Sequence, residues 1–378
     1  MGLSTNNNVL LNLVVLFGFL SATNSYASLV FIFLFFLLVF PLYLNFVYFA
    51  GLSFLITYLL MGQALSGGFL VFEETIRMLV LMLVLLGLGL KDKTENVKVH
   101  NAILHIIFVI LFCFAIASIL NLEDLLNLRN IIWPLPSDTV NAFDYGVFGD
   151  AWFRIGSIFY NPNIFGQALV FLTAFYLFSD SKYKVPIIIV LILLTLLSGS
   201  RTAAFTLGVF LFFSDKTIRK LSLLLILPAA AIFILVFSDE VLLIIRALDI
   251  LSAISGESSG SVKLFNIVEY IYEFSTGSVL EYIILLLGHG FIDQSEWHMD
   301  SEVGLLIYSV GLIGLIGIML LIFYNFLNTQ DSSKPIYFLF IFSVGSTLLL
   351  SLKFAPLFLI LALLSKNKRL TISRKADV

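Results

Sequence analysis

The sequence predicts an all-α, polytopic membrane protein, and three observations carry that expectation. Hydrophobic residues make up 60% of the chain and charged residues only 12%, with 39 Phe, far from the balance of a soluble domain. Apolar runs recur at a length suited to helices crossing a bilayer core, about 20 residues for ~30 Å. The Lys and Arg clusters are separated by even numbers of these runs, so that all of them can share one face.

Taken in order, the runs predict about twelve spans, near 9–22, 28–41, 42–62, 73–90, 100–121, 163–179, 185–198, 201–213, 221–238, 303–326, 335–350 and 352–365. Met1 to Asn8 holds no Lys or Arg, and no small-residue cleavage site follows, so the first helix is expected to stay rather than leave as a signal peptide. The resulting layout has five spans in 1–121, an outer loop over 122–162 and spans six to nine in 163–238. A large outer loop follows over 239–302, then spans ten to twelve with an inner tail in 303–378. With both termini inside, 14 of the 21 basic residues fall on the inner face: Lys334 and the clusters at 91–98, 182–184, 216–220 and 366–375.

The same rule divides the run from 185 to 213. One long helix would put either Lys182 and Lys184 or Lys216, Arg219 and Lys220 outside, whereas a hairpin turning at Ser198-Gly199-Ser200-Arg201 keeps both sets inside. Each arm is then ~20 Å long at 1.5 Å per residue, so the turn is expected below the outer surface. Arg201 would point into the protein, because a bare cation in lipid is costly. In the loop before the sixth span, Asn161-Pro162-Asn163 reads as a turn feeding a helix, with Asn163 as its N-cap.

The candidate chemistry lies on the outer face. Arg154, Arg201 and Arg246 could hold a phosphate or diphosphate through paired, permanently charged donors, or each could pair with a loop carboxylate. Trp297-His298-Met299-Asp300-Ser301-Glu302 leads straight into a helix. Asp300 or Ser301 could cap that helix and Glu302 favour its positive end; alternatively His298, Asp300 or Glu302 is a general base for a hydroxyl. His289, in Gly288-His289-Gly290, is the reserve candidate, while Lys263, Asn161, Asn163 and Trp297 are possible ligand contacts. Gly311-Leu312-Ile313-Gly314-Leu315-Ile316-Gly317 reads as a small-residue face for close helix packing. Lone Cys113 allows no intrachain disulfide, and no CxxC, HExxH or histidine cluster suggests zinc. No metal and no cofactor is expected.

Four motifs in this order resemble the O-antigen ligase/polymerase superfamily, most closely the Wzy-type polysaccharide polymerases. They are Arg154-Ile155-Gly156 with Asn161-Pro162-Asn163; Leu197-Ser198-Gly199-Ser200-Arg201-Thr202-Ala203-Ala204; Leu287-Gly288-His289-Gly290; and the loop-to-helix junction followed by Gly311-Leu312-Ile313-Gly314. The resemblance covers roughly residues 150–325. It implies a GT-C-like helical fold in the bacterial inner membrane with two long periplasmic loops, and a metal-independent glycosyltransferase. It further implies that Arg154, Arg201 and Arg246 hold the diphosphate of an undecaprenyl-diphosphate-linked oligosaccharide, with the acceptor activated near the large loop. Membrane lipid and a polysaccharide chain-length regulator come with it as expected partners; nucleic acid does not. A ligase to lipid A-core shares the fold, but the His-Asn pair expected of a ligase is replaced by Asp300, with His298 two positions earlier. A flippase for the same lipid-linked sugar is the alternative of another class.

Overall fold

The computed structural model describes residues 5–20, 25–39, 46–67, 75–76, 78–80, 83–84, 99–133, 155–159, 162–212, 259–290, 302–327, 336, 354, 356–362 and 364. Helices account for most of them, and no strand occurs among the described residues. In chain order they are α1 (Thr5–Leu20), α2 (Ser25–Val39), α3 (Phe46–Ser66), α4 (Asn101–Ile119), α5 (Glu123–Ile132), α6 (Pro162–Phe178), α7 (Lys184–Leu197), α8 (Arg201–Phe212), α9 (Ser259–Thr276), α10 (Val279–Leu287) and α11 (Glu302–Leu327). Of these, α4 and the Gly304–Leu327 part of α11 are long and apolar enough to cross a membrane, while α6 and α7 are shorter apolar helices. The expected span 221–238 lies outside the described residues, and 73–90, 335–350 and 352–365 are described only in part.

Helix α6 sits at the centre of one group of helices. It is apolar on every side and buried from Phe165 to Leu177, as a helix without a polar face must be. Helices α4, α7 and α8 pack around it. It opens on Pro162, whose missing N–H and preset φ suit a first helical position. Asn163 therefore lies exposed in the first turn instead of capping the helix, which corrects the N-cap expectation. Asn161 lies outside the described residues.

Hydrogen bonds at the middle and the C-terminal end of α1 tie it into this group. The His100 amide, at the start of α4, donates to Asn12 Oδ1 at 2.8 Å, and Trp133 Nε1 donates to the Leu20 carbonyl at 2.6 Å. Trp133 also meets Phe114 of α4 edge to face.

The two long segments read as loops carry helices of their own. The first, 122–162, contains the surface helix α5 and a 3-10 turn at Ser157–Phe159 that is buried against α4 and α6. Ser157 Oγ donates to the Leu111 carbonyl at 3.0 Å, and Arg129 Nη1 donates to the Ser157 carbonyl at 3.3 Å. Ile158 and Phe159 form too short an apolar run to register as a span, yet enough to enter a core. In the second, 239–302, Ser278 and Glu281 form a reciprocal capping box at the start of α10. Hydrogen bonds from Ser278 hold the Glu281 carboxyl below its usual range.

The hairpin between α7 and α8 is present. Gly199 takes φ 62° at the turn, and Ser200 caps α8, its Oγ accepting from the Ala203 amide at 3.3 Å. Ser198 and Ser200 are buried because Gly166 of α6 lets them approach. A Cβ on Gly166 would lie 2.7 Å from Ser198 Oγ and 2.8 Å from the Ala203 Cβ.

Candidate functional site at an interrupted helix

A second group of helices, α3, α9, α10 and α11, meets where α11 is broken. At Gly311 the backbone takes φ 66° and ψ −178°, and at Gly288, which ends α10, φ 82° and ψ 172°. Only glycine occupies this region without strain. The two backbones also touch: a Cβ at Gly311 would lie 2.5 Å from the Gly288 nitrogen, and one at Gly288 2.5 Å from the Gly311 nitrogen. Helix α3 closes the third side, where a Cβ on Gly62 would lie 2.5 Å from the Gly288 carbonyl oxygen.

Such a break disturbs the i to i−4 ladder, and the freed groups need partners. Three consecutive carbonyls ahead of Gly311 find them outside the helix. Tyr308 accepts from the His289 amide at 2.7 Å and Ser309 from the Gly290 amide at 2.9 Å. Val310 accepts from the Tyr58 hydroxyl at 2.8 Å. Gly314 lies beside the same hydroxyl, which would be 3.5 Å from a Cβ there, so Tyr58 meets the ladder at residues 310 to 314, and a side chain inserted there is a recognised cause of a helix kink.

The His289 ring stacks on Tyr308 with centroids 4.2 Å apart and planes 13° apart, and Phe274 meets it edge-on at 5.4 Å. Tyr270, fully buried, is 6.0 Å away. His289 Nε2 and Gln63 Oε1 are both buried without a hydrogen-bond partner among the described residues. Gln63 lies against Gly290, where a Cβ would come within 3.0 Å of the Gln63 Cβ, so the two atoms belong to neighbouring parts of one junction. Burial pushes the His289 pKa down to about 4. At neutral pH the ring is therefore an uncharged hydrogen-bonding group. Burial, reinforced by Tyr308, pushes the Tyr270 hydroxyl above its ordinary range.

Of the residues singled out in the sequence, His289 is the one whose side chain the structure sets into this junction. Glu302 opens α11 and so lies in its first turn, while Ser301 lies outside the described residues. Arg201 opens α8 and Lys263 lies within α9, on separate elements; the side chains of Arg201, Lys263 and Glu302 are outside the described residues. Arg154, Arg246, Trp297, His298 and Asp300 lie outside the described residues altogether.

The glycine run from Gly311 is not a uniform packing face. Gly311 is a break, and Gly317 has open space where a side chain would go. His105 serves as a tether, its ring nitrogens within 2.9 Å of the Tyr176 hydroxyl and 3.4 Å of Ser181 Oγ. Tyr58, Gln63, Tyr270 and Tyr308 were not foreseen. The available signal was Gly62-Gln63, a small residue and an amide inside an otherwise apolar run. No protein-family model matches the chain, and no characterised protein or solved structure matches it.

Proposed function

We propose that the chain is a multi-pass inner-membrane glycosyltransferase that polymerises O-antigen or a related surface glycan on the periplasmic side, within a twelve-span arrangement whose termini are cytoplasmic. The observation that carries this reading is the junction itself. Leu287-Gly288-His289-Gly290 and Gly311-Leu312-Ile313-Gly314, two of the four motifs behind the resemblance, meet backbone to backbone there. In the sequence, Trp297, His298 and Asp300 fall between Gly290, at this junction, and Glu302, which opens α11.

In the proposed reaction a hydroxyl oxygen of the acceptor repeat attacks the anomeric carbon of the donor glycan. The bond from that carbon to the diphosphate oxygen breaks, and undecaprenyl diphosphate leaves. Arg154, Arg201 and Arg246 stabilise the leaving charge, and His298, Asp300 or Glu302 takes the acceptor's proton. The diphosphate is already a good leaving group, so the proposal needs no metal. His289, uncharged at neutral pH, stays the reserve candidate for that base.

The helix break also favours a second reading, because interrupted helices line substrate paths in transporters. Purified protein given lipid-linked repeats separates the two: a polymerase makes longer glycan, a flippase only moves the repeats. Activity lost with EDTA would refute the metal-free proposal. In a deletion strain, single repeats on the surface support a polymerase. Full-length chains left on the carrier point to a ligase, and an unchanged distribution excludes all of these roles.

A further inference from the structure

Helix α9 presents two different faces. One sends Tyr270 and Phe274 to the His289 ring. The other carries Phe265, Val268 and Tyr272, spaced by three and four residues and so aligned in one stripe. They are exposed, Phe265 at 62% and Tyr272 at 68%. Glu269, four residues after Phe265, and Glu273, four further on, border the stripe. Both are exposed; the Glu273 carbonyl accepts from Thr276 Oγ1 at 3.4 Å, and neither carboxylate has a hydrogen bond or ion pair among the described residues.

The border decides what suits this stripe. Helices that lie on a membrane carry Lys and Arg beside their apolar face, whereas here the flanking charges are carboxylates, which anionic headgroups repel. Exposed aromatic rings beside carboxylates match a carbohydrate instead. The electron-rich ring face receives the C–H surface of a pyranose, and carboxylate oxygens accept hydrogen bonds from its hydroxyls. Phe265 and Tyr272 are seven residues apart, about 10 Å along the axis, roughly the length of two pyranose rings.

We propose that this stripe is a glycan-holding surface, with an oligosaccharide lying along Phe265, Val268 and Tyr272 while Glu269 and Glu273 accept hydrogen bonds from its hydroxyls. It rests on the glycan-transfer reading above and adds the place where chain already made is held beside the junction. Weak stacking spread over several sugars keeps a product engaged for further rounds, so the surface sets product length.

The test uses the full-length protein in cells producing the polymer, with the photo-crosslinker p-benzoylphenylalanine at position 272 or at the exposed α11 position 316. The expected adduct at 272 is a ladder of carbohydrate-bearing protein that is absent at 316. A phospholipid adduct, a covalent dimer or no adduct at 272 would overturn the proposal. In a purified assay with lipid-linked repeats, Phe265→Ala with Tyr272→Ala is expected to shorten the modal product at least two-fold, and Trp at both positions to restore it. An unchanged distribution in a wild type that does polymerise removes the stripe alone. A wild type that makes no polymer removes the transfer reading and the stripe together.

Discussion

The Tyr58 hydroxyl donates to the Val310 carbonyl at 2.8 Å across 252 residues of sequence, which places a side chain of α3 inside the hydrogen-bond ladder of α11. Tyr58→Phe keeps the ring but leaves that carbonyl without its donor. A deprived, partly buried acceptor costs ~1–3 kcal/mol. Thermal unfolding in detergent is expected to show a midpoint lower by a few degrees. Thr57→Val, at a neighbour whose hydroxyl bonds only within its own helix, is expected to change it little. Equal midpoints for wild type and Tyr58→Phe would mean that the break stands without this bond.

The glycines at the junction separate by environment. Gly311→Ala and Gly288→Ala each place a Cβ on a backbone with φ near 66° and 82° and into the facing chain. The two costs add, giving more than ~3 kcal/mol or failure to accumulate folded protein. Gly317→Ala meets open space in a helix and gains up to ~1 kcal/mol from helix propensity. Yield and unfolding midpoint of the three variants check the ranking, and a Gly311→Ala as stable as Gly317→Ala would contradict the interruption.

His289 gives the junction a pH dependence. Its folded pKa, about 4, lies below the ordinary value of 6.5. Between those values the unfolded chain binds a proton that the folded chain refuses, so stability falls as pH drops through that window. Above pH 6.5 the residue contributes nothing to the slope, and near pH 4 the loss approaches its full extent, on the order of 2–3 kcal/mol. His289→Phe retains an aromatic ring against Tyr308 and removes the titration. Unfolding midpoints from pH 7.5 to 4 are expected to fall less steeply for the variant, and parallel curves would place the ring in solvent.

Helices were legible in the sequence where one physical rule acted alone. The expected charge sidedness called for a turn at Ser198-Gly199-Ser200-Arg201, and the caps at Gly199 and Ser200 are the local chemistry of the turn that is present. The junction was not legible in that way. Gly311 sits in an apolar run whose composition is the same for a straight helix and a broken one, and the difference lies in partners 20 to 250 residues away: Gly288, His289 and Tyr58. Asn163 misled because Asn is a strong cap former, but Pro162 ahead of it is a stronger first-turn residue. The buried turn at Ser157–Phe159 escaped notice because hydropathy over a span-length window dilutes two apolar side chains with their polar neighbours.

Gly166 and Arg201 test what the hairpin is for. A side chain at Gly166 would press on Ser198, Ser200 and Ala203, short groups that cannot swing aside without losing the turn's caps. Gly166→Val is therefore expected to push the hairpin off α6, lowering the unfolding midpoint and cutting polymer formation about ten-fold or more, whereas Gly208→Val, with open space around it on α8, is tolerated. Arg201 follows the Ser200 cap directly, so its position depends on the same contact. If its guanidinium holds a diphosphate through paired donors, a lysine cannot replace the paired geometry. Arg201→Lys should then insert and unfold like wild type while losing most polymer length on a carbohydrate gel. Wild-type polymer from Arg201→Lys, alongside a damaged Gly166→Val, would make the hairpin a packing element and remove Arg201 from the diphosphate site.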